Sequence, residues 1–454
     1  MRSNLIDRLL GRTNKYNNAF FSFFGGGEAQ YDYNKINYIT KGYNINPFVY
    51  SVVNQRATKF ASIPFEIKEI EDKDAMKKAN RLVKTTNYNL TPKQRLELKK
   101  IESKAYGTIK DFKLVQPNPI TTWLQFKELF ETYLATCGEV FIYKLAPEGG
   151  MEAGEPIAYY ILPSHYMEIV VKPGNKIGDL DSPIKCYKLI EGDQYTEFTD
   201  KEIIHIKYSN PNYDLQATNV YGHSPLRAVW KNVENSNEAL DLNKKTLRSG
   251  GAFGLIHAKG QSGFTEPQAK ALKEKLLQMD ADSGRLGKMA GVSAEIGFTR
   301  LSLSADELKP FDYLTFDEKQ ICNALGWDAK LLNNDNGAKY DNYKVAQKRV
   351  LIDTIVPDLQ IFENLFNEHI LPLYKDYQGY CLKFDISDLP EMQDDMKSLV
   401  EWLSKANDKG FVTKNEAREI MNLDIVEDDL MNQITVIDDV LTLEQSLDDF
   451  PSVQ

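Results

Sequence analysis

The stretch SPLRAVWKNVENSNEALDLNKKTLRS, residues 224–249, decides how the rest of the chain is read. Ser224 is a side chain that caps helix N-termini, and Pro225 suits the first helical position. Gly250 and Gly251 end the pattern. At 1.5 Å per residue such a helix runs about 39 Å. Its apolar residues are few. Leu226, Val233, Leu240 and Leu247 recur every seven residues, with Val229 beside them. So narrow a stripe suits a helix packed against few neighbours rather than one sunk in a globular core.

Working outward, the segments on either side fall into a definite order. Before the helix, NPFVYSVVNQRATKFASIPFEI places Val49, Val52, Val53, Ala57 and Phe60 at helical spacing up to Pro64. In PNPITTWLQFKELFETYLATCGEVFIYKL, Thr121 and Thr122 open a helix whose apolar face is Trp123, Phe126, Leu129, Phe130 and Tyr133. Gly138 closes it, and EVFIYKL alternates as a strand. PIAYYIL, YMEIVVK, IKCYKLI and EIIHIKY then read as short strands separated by turn residues, so residues 46–223 predict an α+β unit with mostly antiparallel pairing. After the helix, residues 251–303 predict a small β-α-β unit, and SADELKPFDYLTFDEKQICNAL, 304–325, a returning helix. Two helices leading to a small unit and back describe a stalk with a tip.

The polar segment KLLNNDNGAKYDN, 330–342, interrupts the helical pattern with no apolar side chain from Asn333 to Gly337. A helical pattern then runs from about 341 to 373, stepping through Val345, Ile352, Ile355, Leu359, Phe362, Phe366 and Ile370. Pro357 lies inside it and predicts a kink or a break. YCLKFDI reads as a strand, and helices are expected near 391–409 and 413–422. Residues 1–45 read as a loosely organised arm, because FFSFFGGGEAQYDYN joins aromatics to a glycine triplet.

Composition bounds the function. The 454 residues, 42% hydrophobic and 26% charged, fit a folded chain of two to four domains. No apolar run is long enough to span a membrane, and the N-terminus lacks the pattern of a signal peptide. Cys137, Cys186, Cys322 and Cys381 lie far apart and read as reduced thiols rather than a disulfide framework or metal site. The net charge of −10 hides a division: residues 385–454 hold 18 Asp+Glu against 5 Lys+Arg, whereas 71–110 hold 11 Lys+Arg against 5 Asp+Glu. These zones read as solvated helix faces or as surfaces meeting different partners.

Chemistry-bearing motifs are missing. Gly25–Gly27 lack the Lys and Ser/Thr of a phosphate-binding loop, and NEHI around His369 is no zinc-protease motif. YSNPNYD has no nucleophile elbow, and Asp394 with Asp395 sit in a polar segment that would not raise a carboxyl pKa. The expectation is a non-enzyme with no cofactor and no metal.

The order and wording of segments from about 46 to 380 resemble the portal (head-to-tail connector) proteins of long-tailed bacteriophages. YGHSPLRAVWKNVE, 221–234, is the most specific match. QPNPITTWLQF, ILPSHYMEIV, DKEIIHIKY and LSLSADELKPFDYLTFDEKQICNALGWDAKLL follow in the family's order. The segment after the loop departs from it, with Val356–Pro357 in place of an Arg-Pro.

The resemblance implies a ring-forming α+β subunit, expected as a dodecamer at one capsid vertex of the virion and assembled in the host cytoplasm. Double-stranded DNA would be packaged and ejected through its channel. Its partners would be the terminase large subunit, the head-tail adaptor and the major capsid protein, with no membrane. Residues 46–223 would be the wing, carrying the basic insert 71–110. Stem helices would be 224–250 and 304–330, the clip 251–303, the tunnel loop 331–342, a kinked helix with its return to the wing 343–388, and an acidic helical crown and tail 389–454. Asn333, Asn334, Asp335, Asn336, Lys339 and Tyr340 would face DNA in the tunnel loop, and Lys244, Lys245 and Arg248 on the first stem helix would be positioned to meet phosphate. Another phage structural ring component, such as a head-tail adaptor or baseplate subunit, is the rival reading.

Overall fold

The computed structural model describes residues 34–86, 90–147, 154–172, 182–212, 218–248, 254–258, 296–300, 310–332, 340–386, 389–392, 396–421 and 425–433, with single positions at 266, 267, 270, 274 and 423. Helix α1, Pro47–Ser62, starts where Asn46 Oδ1 accepts hydrogen bonds from Phe48 N and Val49 N, with Pro47 in the first turn. Its buried face is Val49, Val52, Val53, Arg56, Ala57 and Phe60. Strand β1, Phe65–Ile70, follows directly, then helices α2, Lys73–Thr85, and α3, Pro92–Ala105, and strand β2, Tyr106–Lys110.

Helix α4, Trp123–Cys137, opens with a reciprocal capping box between Thr122 and Gln125 and closes on Gly138 at φ +77°. It packs lengthwise on α1, with the rings of Phe60 and Phe130 stacked 6.0 Å apart and both meeting Phe362. This aromatic cluster is the centre of the larger core.

All described strand pairings are antiparallel, but they form several small sheets rather than one. Strand β3, Glu139–Leu145, lies between β4, Ala158–Leu162, and β8, Ile203–Lys207, with Ile142 facing Ile161 on one side and Ile204 on the other. Strands β5, Met167–Val171, β6, Ile184–Glu191, and β7, Gln194–Thr199, make a second sheet, and its inner face forms a smaller core around Phe141, Ile169, Tyr187 and Tyr221. The third sheet is long-range. β1 is central, flanked by β2 and by β11, Tyr380–Phe384, with Ile67 opposite Leu382.

The stretch that opened the sequence reading forms a short turn of helix, Pro225–Ala228, a break at Val229 (φ −109°, ψ 14°) and helix α5, Trp230–Arg248. The single helix expected over 224–249 is therefore two pieces set end to end. Strands β9, Gly254–Ala258, and β10, Ile296–Arg300, pair beyond it, and helix α6, Pro310–Ala324, packs along α5. Helices α9, Met396–Asp408, and α10, Lys414–Ile420, lie close to their expected positions.

Two expectations need correction. Residues 34–43 are helical and packed rather than a loose arm: Lys35 is 1% exposed, and Tyr38 packs edge-on against Trp230 at 5.1 Å. Residues 1–33 lie outside the described residues. Pro357 does not break the helical run in two. Helix α7, Tyr340–Val350, passes through a π-helical turn, Leu351–Ile355, into α8, Val356–Asn364. A proline lacks an N–H and crowds the carbonyl four residues back, and here that carbonyl, of Asp353, lies within the wider π turn.

Candidate functional site

The paired helices α5 and α6 are firmly fastened at one end only. Ser224 Oγ accepts from Leu226 N (3.1 Å) and donates to the Thr136 carbonyl (2.5 Å), tying the approach to α5 to the last turn of α4. Asn46 Nδ2 donates to Ser236 Oγ (2.6 Å), tying α5 to the cap of α1. Asn232 Nδ2 donates to Asp317 Oδ1 (2.7 Å), joining α5 to α6. Leu226, Val229, Val233 and Ser236 are buried, but none of residues 237–245 is. Leu242 on α5 and Phe316 on α6 stand exposed, at 41% and 56%. Lys244 and Lys245 are exposed on that uncovered end, whereas the Arg248 side chain lies outside the described residues.

The base of the polar segment 333–339 is held from both sides. Helix α6 ends in a left-handed turn at Gly326 (φ +68°), with Trp327 N donating to Cys322 O (2.8 Å) and Gly326 N to Asn323 O (3.2 Å). Thr354 Oγ1, in the π turn, donates to the Gly326 carbonyl at 2.6 Å. The turn Ala329–Leu331 follows, and the chain is next described at Tyr340, where α7 begins. Asn333, Asn334, Asp335, Asn336 and Lys339 fall outside the described residues, as does the Tyr340 side chain.

Behind these elements lies a buried charge cluster that sequence reasoning missed. Arg56 donates through Nε to Glu131 Oε1, through Nη1 to the Leu325 carbonyl (2.7 Å), and through Nη2 to Tyr208 Oη (2.8 Å) and Asp358 Oδ2. Tyr208 Oη donates to Asp358 Oδ1 at 2.7 Å. One guanidinium thus joins α1, α4, the end of α6, the segment after β8, and α8. Burial works against the Arg56 charge, but Glu131, Tyr208 and Asp358 raise its pKa well above the usual arginine value. Glu131 is pushed up, by burial first and then by the neighbouring Asp358 charge, which outweigh Arg56. Two carboxylates share one cation there.

A second cluster fixes residues 34–43. Lys35 Nζ donates to Glu139 Oε1 and sits 4.0 Å from the centre of the Tyr221 ring. Glu139 Oε2 accepts from Gly222 N (2.7 Å) and lies 2.9 Å from His205 Nε2. Burial would raise the Glu139 pKa, yet Lys35 and His205 bring it down to about 2. Burial lowers the His205 pKa, so its ring is neutral at pH 7 and donates from Nε2. Because the Glu139 pKa falls on folding from 4.5, its ionisation stabilises the protein above pH 4.5, and that contribution is lost as pH falls toward 2. Denaturant midpoints should therefore fall on acidification across that window, and Glu139→Gln should flatten the slope. Equal slopes for both proteins would take Glu139 out of the acid response.

A signal for these residues was present in the sequence. Arg56, Glu131 and Asp358 each interrupt an apolar helical face, and Glu139 opens an apolar strand. An isolated charge on such a face needs a buried partner, but its spacing does not say which.

Comparison with known structures places this arrangement in a recognised fold. Over 93% of this chain and 99% of the other, the structure is similar to a subunit from the neck of an empty gene transfer agent particle solved with C6 symmetry (TM-score 0.55, 17% identity). It is also similar to a chain from the neck of the native particle solved with C12 symmetry, over 89% of this chain and 97% of that one (TM-score 0.53, 17% identity). The chain belongs to the phage portal protein family, whose model matches residues 93–422. It is 24% identical over 337 residues to the portal protein of Escherichia phage T5, covering 71% of this chain and 72% of that protein. The family match begins inside the basic insert and runs into the acidic C-terminal region, farther than the resemblance read from motifs.

Proposed function

We propose that copies of this chain close into a ring, with twelve the expected number, at the capsid vertex of a virion. Double-stranded DNA is packaged and later ejected through the channel of that ring. The observation that carries this reading is the α5–α6 pair, buried at its root and uncovered beyond Ser236. Helices with so narrow an apolar stripe gain neighbours when identical copies stand side by side. On this reading 46–223 is the wing, α5 and α6 the stem, 251–303 the clip, 331–342 the tunnel loop, and 389–454 the crown and tail. The terminase large subunit docks first and supplies ATP hydrolysis, the head-tail adaptor replaces it, and the major capsid protein surrounds the ring. The ring itself turns over no substrate.

A DNA passage should touch the duplex without holding it. Each Lys or Arg on phosphate adds affinity and salt dependence, and before Tyr340 the loop carries only Asp335 and Lys339 among asparagines. Replacing Asn333, Asn334 and Asn336 by Lys should leave ring assembly intact and impair packaging. Normal packaging by that variant removes the loop from the mechanism. Negative-stain microscopy of the purified chain should show rings with a central channel wide enough for a duplex. A monomer at every concentration overturns the proposal, and ATP turnover by the purified ring overturns its non-enzymatic part.

A further inference from the structure

Helices α2 and α3 form a hairpin whose outer side is strongly basic. Lys73, Lys77, Arg81 and Lys84 follow at helical spacing along α2, with Lys78 beside them, and all five are exposed. Ala75 and Ala79 make the buried side. The row spans about 16 Å. The acids near it are few: Asp74 pairs with Lys77 at 3.4 Å, and the Asp72 carboxylate caps the helix and feels Lys78.

The acidic end of the chain already touches this hairpin. Helix α10 packs against α3, and Lys100 pairs with Glu419 at 3.4 Å. Asn415 Nδ2 in α10 donates to Asn432 Oδ1 (2.7 Å) and to the Val426 carbonyl (2.9 Å), so the chain is held beside α10 as far as Asn432. Beyond Gln433 come 21 residues holding five carboxylates (Asp438, Asp439, Glu444, Asp448 and Asp449) and no Lys or Arg. Their root lies about two helix spacings from the α2 row, roughly 20 Å, and the segment can extend to about 70 Å.

We propose that residues 434–454 fold back onto the basic row of α2 in the same chain and form an electrostatic cover over it. Each exposed pair is weak by itself, but attachment at Asn432 holds the carboxylates at high effective concentration. Any free polyanion must displace the cover. The basic and acidic zones then meet each other rather than separate partners, and the contact does not depend on ring formation.

Zero-length carbodiimide cross-linking of the full chain tests this, because it joins a lysine amine only to a carboxylate in contact. An equal mixture of 15N-labelled and unlabelled chains separates links within a copy from links between copies. Links should join Lys73, Lys77, Lys78 or Lys84 to the five tail carboxylates within one copy. They should vanish in a Lys77→Glu/Arg81→Glu/Lys84→Glu variant and near 1 M salt, where the Debye length is about 3 Å. The Lys100–Glu419 pair reports that the reaction worked and that the hairpin is folded. Tail links to other surfaces, or only between copies, or none while Lys100 reacts, overturn the proposal. If the row is instead a nucleic-acid site, a short DNA duplex binds the full chain as tightly as a variant with the five tail acids changed to Asn or Gln. The cover requires at least a tenfold gain in duplex affinity in that variant, and equal affinity overturns it.

Discussion

Arg56→Ala should destabilise the folded chain by about 3–5 kcal/mol, the range for removing one partner of a buried ion pair. The substitution strands Glu131 and Asp358, which are 0% and 3% exposed, with no cation between them. It also leaves the Leu325 carbonyl without its donor at the point where α6 ends. Arg56→Lys keeps the charge but not the fork that serves four acceptors in four directions, so it should recover only part of the loss. Urea midpoints of the full chain measure both, and a shift below about 1 kcal/mol for Arg56→Ala would show that the cluster does not hold these elements together. The pH response has an opposite sign to that of Glu139. The Glu131 pKa is raised on folding from 4.5, so the folded chain holds a proton the unfolded chain releases. The stability this contributes is complete below pH 4.5 and declines as pH rises through the raised folded value. Glu131→Gln should abolish that decline while keeping the side-chain volume.

Gly138→Ala should be comparably severe, about 3–5 kcal/mol, by adding left-handed strain to overpacking against main chain. At φ +77°, a Cβ on residue 138 would lie 2.4 Å from the His223 carbonyl oxygen and 2.7 Å from Ser224 N. Neither neighbour is the tip of a flexible side chain. Gly222 is equally constrained from the other side, since its Cβ would meet the Gly138 carbonyl oxygen at 2.1 Å. The joint between α4, β3 and the approach to α5 is thus two backbones in contact. Gly192, at φ +65° in the tight turn between β6 and β7 with nothing within 4 Å of an added Cβ, is the matched control. Gly192→Ala should cost only the strain of left-handed backbone, about 1–2 kcal/mol. If the two variants melt alike, close approach at Gly138 is not what limits the joint. A folded Gly138→Ala chain should also assemble poorly, because the stem helix leaves the joint at an altered angle.

Much of this fold was readable because its signals are local. Thr122, Ser224 and Asn46 cap helices where short polar side chains precede an apolar periodicity, and Gly138 closes α4. Strands β3, β4, β5, β6 and β8 alternate or run apolar between turn residues. What escaped was long-range. β1 is a short strand given meaning by β11, and β7 is largely exposed, so neither carries a strong hydrophobic pattern. Lys35 gave no sign of burial, because its partner Glu139 is 104 residues away. Pro357 predicted a break that a π turn absorbs. Of the candidate site, Lys244 and Lys245 lie on the uncovered end of α5, but sequence had nothing to say about the Arg56 cluster that anchors the root of the helix pair.

The central position of β1 sets a timetable for synthesis. Phe65 pairs with Phe384, so the last strand of that sheet emerges only after everything between them, including both stem helices and the polar loop, has been made. At about 5–20 residues per second that interval is roughly 15–60 s. Until then β1 has β2 on one side and an open edge on the other, the kind of edge that recruits foreign strands. Crowded polysomes translating this message are therefore where neighbouring nascent chains would pair wrongly. Slowing elongation after residue 110 should lengthen that exposure, and a holding chaperone should find the nascent chain during it.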